Sequence, residues 1–326
     1  MEYLTIKGQT MGTTYTITYE NVIKQNLKEE IDSLLVQFNK SVSTYDPTST
    51  ISRFNSSTTQ FCYSSQEDQY LLESLSKALQ ISEETNGAFD PTIMPLVNFW
   101  GFGYKERNKV EIPNQKTIDS LVNLVGYKKL GIMILNDTVC ISRDIPNMSI
   151  DLSASAKGHG VDVVASLLSS YGIENFMVEI GGEVVTSGVN SKNDYWTIGI
   201  NRPVKGAGID EIQLPVKLID RALATSGNYR NYYETGNITY AHIIDPNTGD
   251  SRPTDILSAS IIADNCLTAD AYATACMVLG LEKAKALMSK NKAKVDALFI
   301  YVDETNQFKY YYTKGFANYV DTLLLQ

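Results

Sequence analysis

The sequence predicts an α+β fold: a single domain over residues 1–326, built from two packed halves, with mostly antiparallel sheets and helices. Segments rich in β-branched and aromatic residues follow one another across turns that contain Gly or Asn, which is typical of antiparallel hairpins. Segments with apolar residues at helical spacing separate these strands. No repeat, low-complexity tract or linker divides the sequence, so we expect one domain.

The first part of the chain combines a pair of strands with helices. Residues 13–19 are rich in β-formers, while Ile23, Leu27 and Ile31 recur at helical spacing. Asn86-Gly87 is a pair at which helices commonly end. The predicted elements are two strands within 3–20 around Gly8 and Gly12, a helix over 23–38, a turn at 43–47, a helical turn over 49–55, a helix over 69–85, and an apolar segment over 88–103 kinked by two prolines.

The remainder alternates hairpins with helices. Asn136-Asp137 and residues 235–237 have the composition of hairpin turns. The predicted elements are an exposed polar stretch over 104–118, a helix over 118–125, a hairpin over 130–141, a helix over 161–168, strands over 176–180, 184–186, 196–201, 212–219, 223–226, 240–244 and 256–263, helices over 268–279 and 282–290, and strands over 295–302, 308–313 and 316–319.

Composition and charge limit the possible partners. Of the 326 residues, 43% are hydrophobic and 20% are charged, as in an ordinary globular protein. The formal net charge of −9 argues against nucleic acid or an anionic membrane surface as a partner. An anionic ligand therefore needs local donors or a metal ion to offset the overall charge.

The cysteines and the hydropathy pattern bear on the compartment. We expect Cys62, Cys140, Cys266 and Cys276 to be buried thiols, since they show no Cys-x-x-Cys motif and no metal-ligand spacing. A disulfide among them stays open, although nothing in the sequence supports one. No window approaches about 18 consecutive apolar residues, and no charged-then-apolar segment follows Met1. These features predict either a cytosolic protein or one whose export segment has been removed from this chain.

A run of small residues over 151–162 is the first candidate binding site. Small residues let a ligand approach the backbone, and free N–H groups at a helix start attract anions. Lys157, at the end of this run, adds a point charge suited to a phosphate oxygen. The glycine spacing differs from that of a dinucleotide-binding loop. Two interpretations remain open, a phosphate site and tight packing of a helix on a strand.

Asp270 and Thr274 are the second candidate site, because residues four apart on a helix share a face. A carboxylate, a hydroxyl and backbone carbonyls together make a hard-oxygen set suited to Mg²⁺. In the alternative interpretation, Asp270 caps the first helical turn and Thr274 bonds back to the carbonyl of residue 270. The spacing leaves both open.

The sequence has two histidines, and they differ in setting. His242 lies in a predicted strand directly before the turn Asp245-Pro246, where it is either a general base or a hydrogen-bonded structural residue. His159 stands between two glycines, and we expect it to be a solvent-facing residue at a helix start.

Several stretches, taken in order, resemble one known family. They lie at residues 11–13, 43–45, 52–55, 87–92, 95–97, 151–162, 181–183, 224–227, 242–246, 248–249, 269–270 and 273–274. In this order they are similar to the FAD:protein FMN transferases of the ApbE type, and the resemblance covers nearly the whole chain. Two departures are Ser153-Ala154, where the family commonly has a glycine pair, and His159, where an aromatic residue is usual.

The resemblance implies a T-fold-related, Mg²⁺-dependent enzyme. Such an enzyme splits the pyrophosphate of FAD, joins FMN by a phosphoester to a Thr or Ser of a target flavoprotein, and releases AMP. It implies His242 as the base for the target hydroxyl, with Asp270 also catalytic as a metal ligand. The implied metal ligands are the Ala154 carbonyl, Asp270 and Thr274. The implied FAD contacts are Met11, Tyr45, Ala88, Phe89, Asp90, Asp151, Lys157 and Ile243, with Tyr45 stacked on the flavin ring.

The resemblance also bears on location and on the alternatives. Family members are often exported lipoproteins, so it implies a periplasmic protein that meets the membrane only through a lipid anchor absent from this chain. Two other functions remain open: a Mg²⁺-dependent FAD pyrophosphatase that yields FMN and AMP, and a non-enzymatic module that binds FAD.

Overall fold

The computed structural model describes residues 2–104, 114–201, 203, 212–228, 232–235, 238–290, 295–303, 305 and 307–325. The chain divides into two compact units. Unit 1 comprises Met1–Val36, Lys157–Arg230 and Thr254–Gln326, and unit 2 comprises Gln37–Ala156 and Asn231–Pro253. The expectation of one domain over 1–326 stays a prediction.

The strands and helices follow one another along the whole chain. The strands are β1 (Tyr3–Thr10), β2 (Thr13–Glu20), β3 (Gln60–Ser64), β4 (Leu130–Leu135), β5 (Thr138–Arg143), β6 (Phe176–Ile180), β7 (Glu183–Ser187), β8 (Trp196–Asn201), β9 (Ile212–Leu218), β10 (Ala222–Gly227), β11 (Tyr232–Thr235), β12 (Ile238–Ala241), β13 (Ile256–Ala263), β14 (Asp296–Val302) and β15 (Phe308–Tyr312). The helices are α1 (Lys28–Val42), α2 (Thr50–Ser56), α3 (Tyr70–Glu84), α4 (Met94–Phe99), α5 (Gln115–Val122), α6 (Ser153–Ser170), α7 (Cys266–Leu279) and α8 (Leu281–Lys290).

Unit 1 is organised around an eight-stranded antiparallel sheet in the order β1-β2-β6-β7-β10-β13-β14-β15. Two of its hairpins turn through two residues that both have positive φ, Met11-Gly12 and Gly181-Gly182. Such turns match the twist of antiparallel strands. The predicted α+β class with mostly antiparallel sheets is confirmed.

The main core of unit 1 lies where helices cover this sheet. Tyr15 and Ile17 of β2 and Val178 of β6 are buried together with Val161 and Val164 of α6. Helix α7 packs against β10 and β13, and eleven of its residues are buried. A helix with nearly all its faces buried must satisfy its polar groups inside the protein, which matters for Asp270.

Unit 2 contains a three-stranded antiparallel sheet, β3-β5-β4, and the hairpin β11-β12. Leu96, Trp100, Ile118, Tyr240 and Ile244 form part of its buried core. A disulfide joins Cys62 of β3 to Cys140 of β5, and these two residues face each other in the strand register. The prediction of four thiols is therefore wrong for this pair, because residues 78 apart in sequence become neighbours only through sheet pairing. Cys266 and Cys276 are buried thiols, as predicted.

Most predicted elements are found, and the differences have local causes. Helix α1 begins at Lys28 instead of residue 23, because Lys24 has a φ of 53° that a helix does not allow. Helix α6 begins at Ser153 instead of residue 161, because Asp151 accepts hydrogen bonds from the Ser153 amide and hydroxyl. Helix α5 likewise starts earlier than predicted, behind the cap Asn114.

Other differences arise where distant contacts decide. Residues 316–319 form a 3₁₀ helix and not a strand, since Phe316 alone among them is fully buried. Strand β3 was not predicted. Its own sequence carries no clear strand signal, and pairing with β5 stabilises it as a strand. The predicted strand 240–244 ends at Ala241. Residues 105–113 of the predicted polar stretch and turn residues 236 and 237 lie outside the described residues.

Candidate functional site

A cluster of charged side chains lies inside unit 1, on three different elements. Lys157 lies on α6, Glu183 begins β7 directly after the Gly181-Gly182 turn, and Asp270 lies on α7. The Lys157 ammonium forms an ion pair with Glu183 Oε1. Asp270 Oδ2 accepts a hydrogen bond of 3.1 Å from the Gly158 amide. Glu183 and Asp270 are each 3% exposed, so the two carboxylates are almost entirely removed from water.

The pKa values of the cluster show which charges support one another. Burial alone would lower the pKa of Lys157, but the charges of Asp270 and Glu183 raise it above its ordinary value. Burial raises the pKa of Glu183 to about 7, against the opposing effect of Lys157. Burial also raises the pKa of Asp270, again opposed by Lys157 and by the Gly158 amide. One ammonium thus stabilises two carboxylates that desolvation disfavours.

Glu183 is a member of this cluster to which the sequence assigned no role, although Gly181-Gly182-Glu183 stood among the family-like stretches. Its second oxygen, Oε2, is buried and has no hydrogen-bond partner among the described residues. Buried carboxylate oxygens normally have partners, so this oxygen marks a place where a ligand or water is expected. The signal in the sequence that could have identified Glu183 is an acidic residue directly after two glycines.

Thr274 lies one turn beyond Asp270, and its hydroxyl is 3.4 Å from the Ser226 hydroxyl. The interpretation of Asp270 as a helix cap is wrong, because Asn265 caps α7 by accepting from the Thr268 amide at 2.9 Å. Across the described residues no group of three His, Cys, Asp or Glu side chains could hold a metal ion. The predicted metal ligands are one carboxylate, one hydroxyl and one backbone carbonyl, so they differ in kind from a group of three His, Cys, Asp or Glu side chains.

The small residues of α6 serve packing. A Cβ on Gly158 would lie 2.4 Å from the Cys266 carbonyl oxygen, and one on Gly160 would lie 2.5 Å from Met11 Cε. Because α6 begins at Ser153, Lys157 lies in the second helical turn and not at the helix mouth as predicted. Lys157 can therefore attract an anion through its charge, but it does not lie beside the free N–H groups of the helix start. His159, 7% exposed, is buried, so the expectation of a solvent-facing residue is wrong.

In unit 2, Asp90 and Asp151 are buried acids that accept local hydrogen bonds. Asp90 accepts from the amide and hydroxyl of Thr92 and from the Tyr127 amide at 2.9 Å. Burial raises the pKa of Asp90 and of Asp151, and the bonds from Thr92 and Ser153 respectively oppose that rise. These bonds fix both carboxylates in one orientation.

Three other predicted FAD contacts in unit 2 differ in their exposure to solvent. Ala88 and Phe89 are 2% and 3% exposed, and their amides donate to the carbonyl and the hydroxyl of Thr85, each at 3.2 Å. Tyr45, in contrast, is 68% exposed and lies edge-on to the half-exposed Tyr104, with ring centroids 6.5 Å apart. An exposed pair of tyrosines is suited to stacking on a flat ring, and Tyr104 was not singled out from the sequence.

His242 lies one residue beyond the end of β12 and not inside a strand as predicted. Its ring is half-buried and lies edge-on to Phe102, with centroids 6.4 Å apart. The neighbouring Ile243 is buried. The end of a strand leaves the side chain outside the regular ladder, which agrees with either interpretation of this histidine.

The comparisons with known proteins agree over nearly the full length. The model of the ApbE family matches residues 11–299. The FAD:protein FMN transferase of Vibrio cholerae serotype O1 is 39% identical over 326 aligned residues, which cover 98% of this chain and 93% of that protein. The protein of the same name from Escherichia coli K12 is 31% identical, with 98% and 90% covered.

Solved structures give the same result. A flavin transferase ApbE from Vibrio cholerae superposes with a TM-score of 0.84 at 37% identity, covering 98% of this chain and 99% of that one. The apo form of a flavinyl transferase ApbE from Pseudomonas stutzeri gives 0.82 at 30% identity, covering 97% and 96%. The class that this fold defines is that of the flavin transferases. This chain belongs to the ApbE family.

Proposed function

We propose that this chain transfers FMN from FAD to an acceptor protein. The observation that carries the proposal is the buried cluster of Lys157, Glu183 and Asp270 in a chain of this family. Two carboxylates outnumber one ammonium there, so a pyrophosphate alone would be repelled. A divalent cation reverses that balance. The cluster therefore favours a nucleotide pyrophosphate that binds together with Mg²⁺.

The residues proposed to hold Mg²⁺ fit it by the chemistry of their oxygens. Asp270 supplies a carboxylate, of which the Gly158 amide occupies Oδ2, and Thr274 supplies a hydroxyl one turn away. The carbonyl of Ala154 is the third proposed ligand. Bound Mg²⁺ supplies a Lewis acid that offsets charge developing on the phosphates as AMP leaves.

The chain's own residues bind and orient the nucleotide in this proposal. Lys157 holds a phosphate oxygen, with Glu183 fixing its ammonium. Tyr45 covers the flavin ring from its exposed position. The remaining proposed contacts with FAD are Met11, Ala88, Phe89, Asp90, Asp151 and Ile243.

His242 is the proposed base. A hydroxyl of Thr or Ser attacks poorly until its proton is removed, and a neutral imidazole accepts that proton near pH 7. The hydroxyl oxygen then bonds to the phosphorus of the FMN half, the pyrophosphate P–O bond breaks, and AMP leaves with the electron pair. The proton stays on a ring nitrogen of His242 until solvent removes it.

The test incubates the protein with FAD, MgCl₂ and a candidate acceptor protein, and weighs the acceptor by mass spectrometry. We expect a covalent mass gain of one FMN, with AMP released in equal amount. Free FMN and AMP with an unmodified acceptor would instead support the pyrophosphatase, and unchanged FAD would support a binding module.

Two variants sharpen this test. His242→Ala should lose transfer and still bind FAD, and unimpaired transfer in that variant would remove His242 from the mechanism. Asp270→Asn should lose transfer at MgCl₂ concentrations that support the unmodified protein, while Asp119→Asn, which changes an exposed acid on α5, should behave as the unmodified protein.

The proposed compartment is the periplasm, with membrane attachment through a lipid anchor. The Cys62–Cys140 disulfide supports an oxidising compartment. No described helix is long and apolar enough to cross a membrane. The proposed partner is a flavoprotein that presents a Thr or Ser hydroxyl. Fractionation of cells that express the full-length gene product tests the location, and recovery in the cytosol would contradict it.

A further inference from the structure

Asp162 joins helix α6 to the first residues of helix α7. Its Oδ1 accepts the Cys266 amide at 2.7 Å and its Oδ2 accepts the Leu267 amide at 2.8 Å. These are the first two residues of α7, whose amides have no partner inside the helix. A carboxylate at a helix start is also favoured by the helix dipole.

The helices are tied a second time in the opposite direction. The side chain of Asp270 on α7 accepts the Gly158 amide of α6 at 3.1 Å. Gly158 permits this approach, since a Cβ there would lie 2.4 Å from the Cys266 carbonyl oxygen and 2.9 Å from Asp270 Cβ. Each helix thus contributes one carboxylate to the backbone of the other, and the two ties lie one helical turn apart on each helix.

Capping alone does not account for Asp162. Helix α7 already has a local cap, because Asn265 accepts the Thr268 amide at 2.9 Å. What Asp162 adds is a link between helices that fixes the turn directly before Asp270. A side chain that binds a metal ion needs neighbouring groups that fix its orientation, and those groups must themselves be fixed by packing or hydrogen bonds.

We propose that Asp162 is a positioning residue: it clamps the start of α7 to α6 and thereby sets the Asp270 carboxylate for Mg²⁺. The inference rests on the proposed function, since it takes Asp270 as a metal ligand. Loss of a group that orients a metal ligand typically weakens metal affinity by roughly 10- to 100-fold.

The test measures the unfolding temperature of the protein against MgCl₂ concentration at constant ionic strength, first without FAD and then with it, so that no turnover is needed. We expect a saturable rise for the unmodified protein. Asp162→Asn should move the midpoint of that rise to roughly 10- to 100-fold higher MgCl₂. Asp162→Glu keeps the charge but displaces the clamp, so it should move the midpoint in the same direction, whereas a purely long-range charge effect would leave it in place.

Asn265→Ala is the matched control. It removes the local cap of the same helix and should lower the unfolding temperature. Because the link between the helices remains, the MgCl₂ midpoint should stay unchanged. If both Asp162 variants keep the unmodified midpoint, or if Asn265→Ala moves it equally, Asp162 is only a cap and the inference is overturned. Should Asp162→Asn fail to fold, Asp162→Glu decides alone.

Asp270→Ala separates this failure from that of the proposed function. It should abolish the saturable response. A response that survives in Asp270→Ala, or is absent from the unmodified protein both with and without FAD, would refute the metal site itself and the role of Asp162 with it.

Discussion

Glu183 should make the ligand-free protein less stable as the pH rises. Burial raises its pKa from 4.5 to about 7, even though Lys157 opposes the shift. Because the pKa in the folded state exceeds that in the unfolded state, the folded chain binds the proton more tightly. The resulting stabilisation is complete below about pH 4.5 and is lost as the pH rises through 7.

The size of this effect follows from linkage. A single group with these two pKa values loses about 2 kcal/mol of folding free energy between about pH 5.5 and 8.5. Asp162, whose pKa burial raises to about 6, adds a smaller loss of the same sign. Urea unfolding at several pH values, without Mg²⁺ or FAD, measures the sum.

The variant Glu183→Gln should remove the contribution of Glu183 to that pH dependence and leave the contributions of the other buried acids with raised pKa values, which are Asp162, Asp270, Asp90 and Asp151. Its stability at any single pH is less informative, since an amide at this buried position has its own unmet hydrogen bonds. Glu174→Gln, an exposed glutamate ahead of β6, should keep the full dependence. Equal slopes in Glu183→Gln and the unmodified protein, or stability that rises with pH, would refute the reasoning.

Three further changes test the packing, the disulfide and the exposed ring. Gly158→Ala should lower stability by roughly 1–3 kcal/mol in urea unfolding, because its Cβ would lie 2.4 Å from the Cys266 carbonyl oxygen; unchanged stability would contradict the close approach of α6 and α7. Replacing Cys62 and Cys140 by Ser should remove about 4 kcal/mol, since the bridge closes a separation of 78 residues, and a reductant should lower the unfolding temperature of the unmodified chain alone. Tyr45→Ala should weaken FAD binding about tenfold in a fluorescence titration with little change in unfolding temperature, whereas full affinity would exclude stacking by this ring.

The elements that could be predicted from the sequence are those whose local signals agree. The Gly181-Gly182 turn, with φ of 62° and 103°, joins β6 to β7 as its composition predicts. Helix α7 was predicted over 268–279 and spans Cys266–Leu279, because the cap Asn265 starts it two residues earlier. Where order comes from distant residues, as in β3 and its disulfide, a single sequence carries no signal.

The candidate site was predictable in its residue types but not in its connections. Lys157, Asp270 and Thr274 were named from charge, spacing and family resemblance. Glu183 and Asp162 were not assigned roles, because their importance depends on which backbone and side-chain groups they meet. Glu183 meets the Lys157 ammonium and Asp162 meets two amides of α7, contacts that span 26 and more than 100 residues of sequence.

The sequence left two interpretations open for the small residues of α6, a phosphate site and packing of the helix on a strand; the structure shows tight packing, chiefly against helix α7, and the phosphate site stays a prediction. Neighbouring atoms occupy the space that a side chain at Gly158 or Gly160 would need, so both glycines allow close packing. Yet that packing brings the Gly158 amide to Asp270 and puts Lys157, one residue earlier, beside Glu183. The glycines therefore allow two helices to approach until a lysine and an aspartate from different elements share one buried cluster. A phosphate site here depends on the packing, and a single methyl group at position 158 should impair both.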